Sequence, residues 1–239
     1  MWNFLFGIKE QPLIAPSVNS LRLATASQHR QMQQTLQLPV SIQTLTNYRR
    51  WLARLLGIYQ PLEQLLAGFP GWLELGVRIH DISQTSALRQ DLTALGGTPR
   101  DMRQIELSCP LSLPLLETLP AAFGALYVLE ASKLTGNSML KHLHQRLGRD
   151  CHGARAFYTG HGRESDARWV SFKRTFNRFS ASQPADFPEV LAGAKATFAA
   201  VQLWMLPLTG NPALATLSPS TVPQLHRMPD EVGALSVQV

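Results

Sequence analysis

Apolar residues recur at steps of three and four from Leu21 to Leu208, and no stretch alternates strictly or gathers β-branched residues. The body of the chain therefore predicts helices throughout. Leu21, Thr25, His29, Met32 and Leu36 form the stripe of a first helix, with Asn19 or Ser20 as its cap and Pro39 as its end. A histidine sits at the middle of that stripe. A second helix of about six turns runs from Leu45 through Tyr48, Leu52, Leu55, Leu56, Tyr59 and Leu62 to Leu66, stopped by Gly68 and Pro70. Residues 71–95 predict one or two shorter helices, capped at Ser83 and closed by Gly96, Gly97 and Pro99. The prolines at 99, 110 and 114 make 98–117 a loop holding one helical turn.

From Pro120 a helical pattern continues to Gly148, the longest in the chain. Its middle is unusual. Ala131, Ser132, Thr135, Gly136, Asn137 and Ser138 are small or polar where a core helix carries Leu or Ile, so either something approaches that backbone closely or the helix bends there. After a loop near His152 and Gly153, Trp169, Phe172, Phe176 and Phe179 mark another helix, and Val190 to Leu206 a last one ended by Pro207. No internal repeat and no linker divides this body. The expected organisation is an N-terminal arm at 1–18, one all-α bundle at 19–208, and a flexible tail at 209–239 rich in Pro, Ser, Thr and Leu without periodicity.

With 239 residues and 45% hydrophobic content the chain can bury a substantial core, which excludes a disordered, fibrous or disulfide-dense protein. The net charge of +6 favours an anionic ligand or an acidic partner, but no Lys/Arg run marks a nucleic-acid face. Two cysteines, Cys109 and Cys151, have neither metal-ligand nor disulfide-framework spacing, so a reducing cytoplasm is the expected setting. The apolar opening MWNFLFGIKEQPLIAP is too short for a membrane span and lacks a basic start.

Arg22 and His29 lie seven residues apart, almost two helical turns, and so leave nearly the same face about 10 Å apart along the axis. Two readings fit. One is a partly buried, hydrogen-bonded histidine beside a surface arginine. The other is a haem iron ligand with a cation placed for a propionate. The small residues at 131–138 are equally double-valued, as a close helix crossing or as the far wall of a flat macrocycle site. His142 falls on the same face as that patch, and with Lys133 and Met139 it is a minor candidate for a second axial ligand.

The segment LRLATASQHRQM resembles the proximal helix of haem oxygenases, whose motif Leu-Arg-x-Ala-Thr-x-x-x-His is matched by Leu21, Arg22, Ala24, Thr25 and His29. GALYVLEASKLTGNSML at 124–140 resembles the same family's distal stretch. The likeness extends over about residues 20–206 and is nearest to the bacterial members that supply biliverdin to phytochromes. It implies an all-α haem-oxygenase bundle that opens haem to biliverdin, carbon monoxide and ferrous iron. Dioxygen and an external donor of ferredoxin or flavodoxin type would be required, with a bacteriophytochrome as the bilin acceptor.

Carried over by position, the resemblance makes His29 the iron ligand and Arg22, Tyr127 and Lys173, with Arg174 or Asn177 beside it, the propionate contacts. Ser132 takes the slot whose hydroxyl organises distal water, and Ala131, Thr135 and Gly136 fall where the distal helix crosses the haem. Two departures stand out: Ala131 and Thr135 replace distal glycines, and only Gly136 is kept. Each replacement adds a Cβ over the oxygen site, so slower or redirected haem opening is expected. The alternative is a haem or tetrapyrrole binder that has kept the fold and lost the oxygen chemistry. A third reading is a related helical protein for another small molecule, in which His29 would touch no iron.

Overall fold

Ser17 opens the first helix, α1 (Val18–Ala24), through a capping box with Ser20: each hydroxyl accepts the other residue's backbone N–H. The cap is thus Ser17 rather than Asn19 or Ser20. The helix expected over 21–36 is interrupted at Thr25 and resumes as α2 (Ala26–Leu36). The cause is local. The Thr25 hydroxyl donates to the Leu21 carbonyl at 2.9 Å while its own amide takes the same oxygen at 3.0 Å, and its φ, ψ of −108°, 5° lie outside the helical well.

The computed structural model describes residues 15–36, 41–132, 136–151, 153–159 and 163–206, all within one compact unit. Thr135 and Lys133, the proline at 39, most of the expected arm and the expected tail lie outside them. Among the described residues every regular element is helical, so the fold is all-α.

α3 (Leu45–Ala67) follows its predicted stripe and is capped by the Thr44 hydroxyl on the Asn47 amide. It also carries Pro61 in its interior. Proline has no N–H for the carbonyl of Gly57, four residues back, and that oxygen is taken instead by the Ser108 amide at 2.8 Å. The missing side chain of Gly57 lets the Glu106 carbonyl and the Trp204 ring press against the helix there. α4 (Thr85–Ala94) is capped from another helix. Both oxygens of the Glu63 carboxylate are engaged, one by the Gln84 amide at 2.6 Å and the other by the hydroxyls of Ser83 and Thr85 at 2.6 and 2.7 Å. Ser83, expected as the cap, is therefore one of the donors to a cap that α3 supplies.

The stretch expected to hold one turn holds two, α5 (Pro99–Arg103), with a Thr98–Asp101 capping box, and a 3-10 turn at Pro110–Ser112. The long pattern from 120 to 148 resolves into α6 (Leu119–Ser132) and α7 (Gly136–Leu147), on either side of 133–135. α8 (Ala156–Thr159), α9 (Arg163–Ser182) and α10 (Phe187–Met205) complete the described chain.

α6 is the axis of the core: every residue from Ala122 to Glu130 is buried. Phe123 sits among Trp72, Phe172, Phe176 and Phe179, with ring centroids 5.2 to 5.9 Å away, which is where the aromatic stripe of α9 goes. On another side α10 crosses α6 so closely that Gly124 abuts the Val190 carbonyl and Gly193 the Ala121 carbonyl.

Candidate functional site

Between α2 and the end of α6 lies a cavity of about 140 Å3 that opens in part to solvent. His29 and Met32 come from α2, Trp51, Leu55 and Tyr59 from α3, Leu129, Ala131 and Ser132 from α6, and Met139 from α7. Tyr158 of α8 and Phe198, Val201 and Met205 of α10 close the remaining walls. Four residues that the sequence singled out, His29, Ala131, Ser132 and Met139, thus meet around one mostly apolar space.

His29 follows the break at Thr25 by one turn, its amide bonded to the Thr25 carbonyl at 3.1 Å. The imidazole is half-buried and meets Phe198 edge-on, centroids 6.2 Å apart at 78°. Burial holds its pKa below the usual 6.5, which favours the neutral ring. No hydrogen bond from the described residues engages its nitrogens. A neutral imidazole without a protein partner on a cavity wall is the donor an iron porphyrin requires, so the residues present fit that group.

Ser132, in the last turn of α6, donates to the Leu129 carbonyl at 2.7 Å, and its oxygen lies 2.8 Å from the Tyr59 hydroxyl. Since the serine hydrogen points to a carbonyl, Tyr59 is the donor of the second bond. Burial pushes the Tyr59 pKa up to about 12 against that hydrogen bond, so the phenol stays protonated. Tyr127 of α6 lies beside the Thr25 hydroxyl, which donates to the Leu21 carbonyl.

The expected rim residues lie apart from the cavity walls. Tyr127 is buried, feels the charge of Arg22, and faces Trp169 at 6.4 Å, while Lys173 Nζ stands 6.0 Å from the same indole. Arg22 is exposed. Arg22, Tyr127 and Lys173 therefore share one neighbourhood along α1, α6 and α9. Asn177 is used differently: its Oδ1 accepts the Val18 amide at 3.0 Å and anchors the start of α1 on α9. Gly136 also serves packing, since a Cβ there would strike the Tyr158 carbonyl. Thr135 and Lys133 are outside the described residues. His142 Nε2 lies 3.0 Å from the Ile42 carbonyl and is not among the cavity walls, whereas Met139 is.

Tyr59 reads in the sequence as a member of a helical stripe, and Trp51, Tyr158 and Phe198 are not singled out there. Nothing in their spacing separates a side chain turned to a cavity from one turned to the core. The only available signal was the polar tip on three of them, which a buried site must satisfy.

A family model described as Heme oxygenase matches residues 16–206. No curated protein and no solved structure matches the chain. No helix among the described residues is long and apolar enough to cross a membrane. The matched span runs from the cap of α1 past the end of α10 and takes in every wall of the cavity, and on that ground the chain belongs to the heme oxygenase family.

Proposed function

We propose that the chain binds haem in the cavity beside His29 and opens it oxidatively to biliverdin, carbon monoxide and ferrous iron. The observation that carries this reading is the imidazole of His29: half-buried, its pKa lowered by burial, and lining a mostly apolar cavity with no hydrogen-bond partner among the described residues. Bound haem would supply both the iron that activates dioxygen and the ring that is cleaved.

The chain's own groups do the rest. His29 would hold the iron, its ring orientation set by Phe198. Leu55, Met139, Val201 and Met205 give the space an apolar lining against which a macrocycle would pack. Arg22 and Lys173 supply positive charge around Tyr127, suited to propionates, and Asn177 keeps α1 in place beneath them. Ser132, fixed between Leu129 and Tyr59, is a rigid polar point on the opposite wall. Electrons come from an acidic ferredoxin- or flavodoxin-type donor, to which the net charge of +6 is suited, in a cytoplasmic setting, with a bacteriophytochrome as bilin acceptor.

A second reading, haem binding without cleavage, draws on Ala131, whose methyl group stands in the wall where the family motif has glycine. Aerobic turnover of the haem complex with a reductant, with the product identified by chromatography, decides between the two. Biliverdin supports cleavage, and intact haem after many equivalents of reductant refutes it.

A further inference from the structure

Three phenol or serine hydroxyls on the cavity wall, those of Tyr59, Ser132 and Tyr158, differ in where their hydrogens go. The Ser132 hydrogen goes to Leu129 and the Tyr59 hydrogen to Ser132. Tyr158 is bonded by Trp51 Nε1 at 2.7 Å. An indole nitrogen only donates, so Tyr158 is the acceptor in that bond and its own hydrogen is still to be placed. No acceptor for it lies among the described residues. The phenol lines the cavity that His29 lines.

Tyr158 is also held more firmly than its position in a four-residue helix suggests. The buried carboxylate of Asp91 accepts the amides of Ala156 and Phe157 at 2.6 and 2.9 Å, fixing α8 just before it. Its carbonyl is seated against Gly136, and its ring packs edge-on to Phe157 at 5.0 Å. Trp51 fixes the oxygen itself. A donor immobilised at both ends costs little to reorganise when an acceptor arrives.

The geometry points to Tyr158 as the hydroxyl donor that the protein presents to an anionic or oxygen-bearing ligand in the cavity, beside the Ser132 to which the family resemblance gives the organising of distal water. The inference rests on the haem reading above and adds to it a residue of this chain. Ser132 then acts through Tyr59 as a structural tie, and Tyr158 makes the contact.

The test is azide binding to the ferric haem complex, followed by the shift of the haem absorption band, in wild type, Tyr158→Phe and Tyr59→Phe. Loss of a hydrogen bond to a charged acceptor weakens azide about tenfold or more in Tyr158→Phe, with haem uptake unchanged. Equal azide affinity in wild type and Tyr158→Phe overturns the assignment, as does a tenfold loss confined to Tyr59→Phe. A wild-type protein that takes up no haem overturns the haem reading and this inference together, so the two failures are told apart by the uptake step.

Discussion

Gly124 on α6 and Gly193 on α10 face each other's helix backbones, the first against the Val190 carbonyl and the second against the Ala121 carbonyl. Neither neighbour can turn aside as a flexible side chain would, because both are backbone. Gly124→Ala or Gly193→Ala is therefore expected to destabilise the fold by roughly 3 kcal/mol, the upper end of overpacking effects. Urea titration reads this directly, and a loss below about 1 kcal/mol would mean that the two helices can separate without penalty.

The Glu63 carboxylate spans two helices by capping α4 from α3. Replacing it by Gln keeps the shape and removes the charge that strengthens those bonds. Glu63→Gln should cost about 1 to 2 kcal/mol, with faster amide exchange at the start of α4. Equal exchange there in the two proteins would assign the cap to Ser83 after all.

His29 is the group whose titration should be visible in stability. Its folded pKa lies below 6.5, so the folded and unfolded chains bind the same number of protons above 6.5, and the unfolded chain binds more as pH falls beneath it. Stability is thus fully present above 6.5 and is lost as pH drops towards the lowered folded value. His29→Ala should flatten that part of the pH profile; an unchanged slope would place the titration on another residue.

In the presence of haem, His29→Ala is expected to lose the iron-imidazole absorption spectrum while keeping the helical circular dichroism of the wild type. Added free imidazole should restore the spectrum by filling the space the side chain leaves. A mutant spectrum identical to wild type would remove His29 from the iron.

Ala131→Gly tests what the added methyl group does to the cavity wall. Near the end of α6 a glycine costs up to about 1 kcal/mol of helix stability, seen as a lower unfolding midpoint. Bilin formation should speed up if that methyl group crowds the oxygen site. An unchanged rate would leave Ala131 a packing residue only.

Much of the fold was legible because burial imposes period. α3 and α10 followed their stripes to within a few residues of the expected ends. What stayed hidden depends on partners far along the chain: the cap of α4 comes from Glu63, and the interior Pro61 is tolerated because Ser108 covers the carbonyl it strands. The break at Thr25 was local but looked like a core stripe position, since a buried threonine and a buried leucine occupy a pattern equally well. At the site, the motif around His29 brought out the imidazole, and the small residues from 131 with the stretch at 124–140 brought out the end of α6. Tyr158 stayed invisible because its role rests on which way one hydrogen points, and that is decided by Trp51, 107 positions away.

The bond from the Ser108 amide to the Gly57 carbonyl gives a loop the accounting of a helix. Ser108 belongs to no regular element, yet its amide is buried and paired with an interior turn of α3. Solvent reaches it only when the segment lifts away from that helix. In a hydrogen-exchange experiment its deuterium uptake would keep time with the opening of α3 rather than with its exposed neighbours, making a nominal loop position one of the slow reporters of the whole bundle.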